Sequence, residues 1–199
     1  MPVPAADSKS SSSASASTSS DAKALSLASR VEALLITSEK PLSPARLGEA
    51  LEIGLDDGGS KSIEDAIEEL NEVYDESGRA FRVERVAGGY RMMTRPEFGG
   101  VVQRFRESRS SSRLSQAALE TLAIVAYRQP ITRADIEAIR GVACGEVLRS
   151  LLERHLIKIT GRAEEVGRPM LYGTTREFLE AFGLASLKDL PDAKELQGG

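Results

Sequence analysis

Two short stretches, Pro41-Leu42-Ser43-Pro44 and Pro130-Ile131-Thr132-Arg133, stand 89 positions apart in this 199-residue chain. Each follows an apolar helical run, Val31-Glu32-Ala33-Leu34-Leu35-Ile36 in one case and Glu120-Thr121-Leu122-Ala123-Ile124-Val125 in the other. Each leads into a second helix opened by a hydroxyl residue. A repeat of this length means one supersecondary unit built twice. It constrains the fold more than any other feature of the sequence.

The unit continues the same way in both copies. Ser43 before Pro44 places a hydroxyl at the N-cap and proline at the first helical position, where its missing N–H costs nothing. Thr132 with Asp135 forms a capping-box pattern. A third helix follows in each. In the first copy Ser62 is expected to cap the stripe Ile63, Ala66, Ile67, Leu70, Val73 and Tyr74; in the second the stripe is Val147, Leu148, Leu151, Leu152 and Leu156. Both copies end in strand–turn–strand signals: Phe81–Val86, Gly88-Gly89 and Tyr90–Met93, then Ile157–Ile159, a polar loop from Gly161 to Gly167, and Pro169–Tyr172.

Three helices and a hairpin make the winged form of helix-turn-helix. The expected fold class is therefore mainly α with small β-hairpin wings (α+β), as two tandem winged helix-turn-helix domains. The division reads as a Ser/Ala-rich tail over 1–26, an N-terminal winged-helix domain over 27–95 and a linker over 96–113. A C-terminal winged-helix domain covers 114–191 and a flexible tail 192–199. The first tail, with its run Ser10-Ser11-Ser12-Ser13, is too polar to offset its ordering entropy and is expected to be disordered. A closing helix is expected after Thr174, with Glu177 completing a capping box and Gly183 stopping it.

Composition removes several classes. The longest apolar run, Leu122 to Tyr127, is far short of the ~18–20 residues that cross a membrane. No apolar secretory leader is read at the N-terminus. One cysteine, Cys144, allows no internal disulfide and fits a reducing cytoplasm. With one histidine and no phosphate-binding loop or metal-ligand spacing, no enzyme, cofactor or metal site is expected. Cys144 begins the third helix of the second copy, where a helix N-terminus lowers a thiol pKa; with no base nearby in sequence, it reads as structural. His155 falls at that helix's other end, a position suited to left-handed geometry.

The remaining question is what the surface meets. The first copy's third helix carries Glu64, Asp65, Glu68, Glu69, Glu72, Asp75 and Glu76 on its outer side. A winged helix that reads DNA puts this helix in the major groove, where phosphates demand Lys and Arg. The second copy's equivalent, with Glu146, Arg149, Glu153 and Arg154, is neutral. Against this, nine arginines and three acids fall between Arg79 and Arg113. That segment leaves open a weak, non-specific DNA contact, or a basic face paired with the acidic helix.

Surplus apolar residues point instead to polypeptide. In the helix from Ser115 to Tyr127, the stripe Leu119, Leu122, Ala123 and Ala126 suffices for a core, leaving Ile124 and Tyr127 for an interdomain contact or the closing Phe178–Phe182 helix, the favoured choices, or for a partner chain. Ile36, with one of Met92 and Met93, is similarly left over in the first domain. Ile36, Met92 and Met93 are therefore the candidates for a dimer seam.

The run Leu114-Ser115-Gln116-Ala117-Ala118-Leu119-Glu120-Thr121-Leu122-Ala123-Ile124-Val125-Ala126-Tyr127-Arg128-Gln129-Pro130-Ile131-Thr132-Arg133-Ala134-Asp135-Ile136-Glu137 closely resembles the bacterial segregation and condensation protein B (ScpB) family. So does Gly167-Arg168-Pro169-Met170-Leu171-Tyr172-Gly173-Thr174-Thr175, followed by Phe178-Leu179 and Phe182-Gly183-Leu184. The first copy fits more loosely, through its Pro-Leu-Ser turn and Gly-Gly-Tyr-Arg wing. The likeness runs from about residue 27 to 191. It departs from the family at His155, where glycine is usual, at Cys144, where a small polar residue is usual, and in the Ser-rich leader.

The resemblance implies a non-enzymatic homodimer, joined through its N-terminal domain. It would bind the kleisin ScpA and, through it, an SMC ATPase, in the cytoplasm at the nucleoid. On that reading Tyr127, Arg168, Tyr172, Phe178 and Phe182 are the candidate kleisin-facing residues: the aromatics as anchors, Arg168 as a fork of donors. The alternative is a winged-helix DNA-binding regulator acting through its wings and arginine-rich linker.

Overall fold

The computed structural model describes residues 25–54, 58–107 and 114–191. The Ser-rich tail up to residue 24, the end of the expected linker (108–113) and residues 192–199 lie outside the described residues.

The first repeat folds as α1 (Leu27–Thr37), α2 (Pro44–Leu51), α3 (Ser60–Glu76) and the wing strands β1 (Phe81–Val86) and β2 (Gly89–Thr94). A 3-10 turn over Pro96–Phe98 leads into α4 (Gly99–Glu107). The second repeat is α5 (Gln116–Arg128), β3 (Ile131–Thr132), α6 (Arg133–Arg140), α7 (Gly145–Glu153), β4 (Ile157–Arg162) and β5 (Met170–Thr174). It closes with α8 (Arg176–Phe182) and a 3-10 turn, Leu187–Asp189. Two winged-helix modules result, each around its own apolar core. One core centres on Val31, Leu35, Leu47, Ile63 and Val83; the other on Leu122, Val125, Ile136, Leu151 and Ile157.

The repeat is visible in backbone pairing. Leu42 exchanges two hydrogen bonds with Tyr90 (2.9 and 2.8 Å), adding a one-residue third strand to the first hairpin. Eighty-nine residues on, Ile131 pairs with Tyr172 in a sheet of order β3-β5-β4. Both tyrosines are buried. The helix caps follow the sequence: Ser43 accepts from the Arg46 N–H, and Thr132 and Asp135 complete a capping box.

A side-chain amide ties each wing to its helices. Asn71 of α3 donates to the Val83 carbonyl (3.0 Å) and accepts its N–H (2.8 Å), standing in for a neighbouring strand along β1. Gln129, after α5, accepts the Thr174 N–H (2.7 Å) and donates to the Ala126 carbonyl (3.1 Å) and the Thr174 hydroxyl (3.0 Å).

Several expectations shift. α3 begins at Ser60 with Gly59 at its N-cap, so Ser62 is already helical and its hydroxyl turns back to the Gly58 carbonyl. Val73 is exposed, because at 100° per residue it lies roughly 80° from the centre of the buried stripe. On α5 the buried residues are Ala118, Thr121, Leu122, Val125 and Ala126, leaving Leu119 and Ala123 outside. Thr121 can replace an apolar residue there because its hydroxyl donates to the Ala117 carbonyl at 2.8 Å.

α8 is capped by Thr175, since Thr174 is held in β5 by Gln129. Gly183 ends it at φ 67 as expected. The segment expected as a polar linker is helical over 99–107. Its apolar residues recur at helical spacing, a pattern that the surrounding arginines and glycines masked.

His155 adopts φ 56 and completes a Schellman end to α7: its N–H reaches the Leu152 carbonyl (2.9 Å) and the next N–H reaches Leu151 (3.0 Å). Glycine avoids the Cβ strain of that conformation, so His155→Gly should stabilise the chain by ~0.5–1 kcal/mol in urea titration. By contrast, Asn71→Leu and Gln129→Leu each strand a buried backbone N–H. Each should cost ~1–3 kcal/mol in the same measurement, with Asn71→Asp recovering only the acceptor half.

Candidate protein-binding surfaces

Neither third helix carries an excess of Lys and Arg over acids. Every carboxylate from Glu64 to Glu76 on α3 is exposed. Four of them, Glu64, Glu68, Glu72 and Asp75, line a groove whose other wall is the first wing, with Arg82 and Arg85. The wing's arginines are partly neutralised at home: Arg95 is ion-paired with Asp75, and Arg82 Nε lies 3.0 Å from Glu84. Tyr90 adds a donor to this groove, its hydroxyl 3.2 Å from Glu64; burial and that carboxylate push its pKa up. On α7, Arg149 and Glu153 pair along the helix at 3.1 Å and leave it neutral.

The candidate residues of the second module separate into core and surface. Tyr172 and Phe178 are core: Tyr172 stands on the central strand, and Phe178 is packed among Leu122, Val125 and Ile157. Both present almost no surface in the folded chain. Phe182 sits one turn beyond Phe178 on α8, 48% exposed, with its ring 4.9 Å from the Phe178 ring. It is a surface ring fixed from below by a core ring.

Tyr127, 38% exposed, donates its hydroxyl to the Pro191 carbonyl at 2.6 Å and so fastens the closing segment to α5. Arg168 lies exposed in the loop between β4 and β5 at φ 44; its N–H bonds to Glu165 and its carbonyl accepts from Arg162. The fold thus brings Phe178 and Phe182 together and places Tyr127 and Arg168 on separate features.

Leu119, Ile139 and Val142 are exposed on the same module and were missed. On α6 only Ile136 is buried, so the Ile136–Ile139 spacing looks like a core stripe although the helix is too short to cover both.

In the first module, Ile36 is exposed at the end of α1. Met92 packs against the core. Met93 points elsewhere: its methyl lies beside Gly183 of the other module. There the first wing's turn also docks, the Ala87 N–H donating to the Leu184 carbonyl at 2.8 Å. Arg176 reaches the Pro41 carbonyl at the same junction.

Cys144 is 1% exposed at the N-cap of α7. Burial, then the Glu137 carboxylate, pushes its thiol pKa up, the reverse of the lowering that a helix N-terminus alone produces. Glu137 accepts the Cys144 N–H (2.9 Å) and the Arg133 Nε–H (2.8 Å), and these two donors hold its carboxyl below the usual range. The cysteine is a packed core residue in a helix start that Glu137 completes. Among the described residues no three His, Cys, Asp or Glu side chains converge to hold a metal, and no helix is long and apolar enough to cross a membrane.

Known proteins are similar to this sequence over most of its length. The family described as segregation and condensation complex subunit ScpB matches residues 29–193. The segregation and condensation protein B of Syntrophotalea carbinolica is 46% identical over 171 residues, covering 86% of this chain and 84% of its own. That of Symbiobacterium thermophilum is 48% identical over 161 residues, covering 81% and 71%. Among solved structures, ScpB from Mycobacterium tuberculosis is 33% identical, covering 79% of this chain and 95% of its own, with a TM-score of 0.36. A conserved hypothetical protein from Chlorobium tepidum is 37% identical, covering 83% and 99%, with a TM-score of 0.39. The match to the family over residues 29–193, with close relatives spanning most of both chains, means that the chain belongs to the ScpB family of segregation and condensation complex subunits.

Proposed function

We propose that this chain acts without catalysis, as a homodimeric adaptor that binds the kleisin ScpA through its C-terminal module. Through ScpA it joins an SMC ATPase at the nucleoid, in the cytoplasm, during chromosome condensation and segregation. The observation that carries the reading is Phe182, a half-exposed ring braced on buried Phe178, on a module that also exposes Tyr127, Leu119, Ile139 and Val142. Rigid aromatic side chains that lose little entropy on burial are the usual anchors of protein interfaces. The acidic outer face of α3 supports the same reading from the other side, since carboxylates repel a duplex.

The competing reading is non-specific duplex contact through the Arg79–Arg113 segment. Pairing of Arg95 with Asp75 and of Arg82 with Glu84 weakens it, because those cations are already partnered. It requires a gel shift at low salt that disappears steeply as salt rises.

Calorimetry with ScpA tests the adaptor reading. Phe182→Glu should weaken binding by ~30-fold or more, the effect of losing an anchor of about 2 kcal/mol. Arg168→Ala should weaken it by a smaller factor, with circular dichroism unchanged in both variants. Full affinity in a folded Phe182→Glu protein would remove α8 from the interface.

A further inference from the structure

Side chains alternate along the first hairpin, and Phe81, Val83, Tyr90 and Met92 take the face that packs on their own module's core. The opposite face carries Arg82, Glu84, Val86 and Met93. Arg82 and Glu84 are solvated there. Val86 is not: it is 0% exposed, although it lies on the outer face and belongs to neither module's core. Ala87 beside it, at the tip of the wing, is 9% exposed and likewise in neither core.

The second module meets the wing at this tip. The Ala87 N–H donates to the Leu184 carbonyl at 2.8 Å. The Met93 methyl lies 3.6 Å from where a Cβ on Gly183 would stand. The turn suits a covered position. Ala87 and Gly88, at φ 50 and 72, form a two-residue turn whose first place favours Asn, Asp or Gly. Alanine there accepts the strain of a Cβ at positive φ and offers a small apolar side chain, where a buried amide would need partners of its own. The N–H of that turn residue has no acceptor within a hairpin, and the second module supplies one. Gly88, exposed beside it, has none.

The tie is small: one main-chain hydrogen bond and a few apolar atoms. Modules of one chain joined by so little surface move relative to each other. We propose that the turn of the first wing is a reversible latch, closing the two modules into one body through the chain that follows α8. Phe182 stands immediately before the latched Gly183 and Leu184, so the latch sets the angle at which α8 presents that ring. It acts within a single chain and stands or falls independently of any partner.

Hydrogen exchange of the full chain, read amide by amide by NMR and corrected for intrinsic rates, is the test. The Ala87 amide should exchange ~10-fold or more slower than that of Gly88, and faster than that of Val83, which Asn71 holds inside the module. Met93→Asp, on the outer face, should bring Ala87 to the Gly88 rate while Val83 and Tyr90 stay protected. Free exchange at Ala87 in the wild type overturns the dock, and exchange as slow as at Val83 overturns its reversibility. Protection of Ala87 that survives in a folded Met93→Asp protein overturns the contact assigned here. If Met93→Asp also strips protection from Val83 and Tyr90, isotope-filtered NOE spectra of the wild type decide. A cross-peak from the Ala87 amide to the Ala185 α-proton within one labelled chain supports the latch. Its absence, or a cross-peak only between labelled and unlabelled chains, rejects it.

Discussion

Each module is closed by one backbone contact: the residue after a proline in the helix 1–helix 2 turn pairs with a tyrosine on the wing's second strand. Without the Leu42–Tyr90 bridge, the first hairpin would be an isolated two-stranded ribbon, marginal in water. The bridge turns it into a short three-stranded sheet that covers the helices. Gly89 makes the approach possible, since a Cβ there would lie 2.8 Å from the Leu42 carbonyl carbon and oxygen. Ile131 and Tyr172 repeat the arrangement with a true strand pair. The two tyrosine rings fill the cores under those contacts, so wing position and core packing are set together.

That closure explains why so much was legible. The Pro-apolar-hydroxyl signature marks the turn, the cap and the strand partner at once, so two winged modules can be read from an 89-residue offset. His155 at left-handed geometry and Gly183 as a helix stop were legible because their backbone requirements are local. The failures are failures of phase. On α5 the apolar residues cover more than half the circumference, so periodicity alone cannot fix which side is buried. A buried threonine that satisfies itself through Ala117 rotates the answer by a quarter turn. α4 was hidden for the opposite reason: glycines and arginines suggest a linker, and its four apolar residues show only when read against helical spacing.

The candidate surface was less legible than the fold. Aromatic residues near the second wing divide into Tyr172 and Phe178, which build the core, and Phe182 and Tyr127, which lie outside. Sequence does not separate Phe178 from Phe182, because at i and i+4 they share one face of α8, and position along a seven-residue helix decides which of them is buried. What sequence does carry is net sign. The outward carboxylates of α3 are set by composition and survive any error of register by one position.

The junction between the first wing and the chain after α8 is made by a main-chain donor at Ala87 and a main-chain acceptor at Leu184. A tie of this kind uses no side-chain atom. Substitutions at Leu184 leave the acceptor in place, whereas position 87 must keep its N–H and a φ of 50°, which excludes proline and disfavours β-branched residues. Selection on that joint would act on the shape of the turn, and on its lettering only through which residues tolerate positive φ.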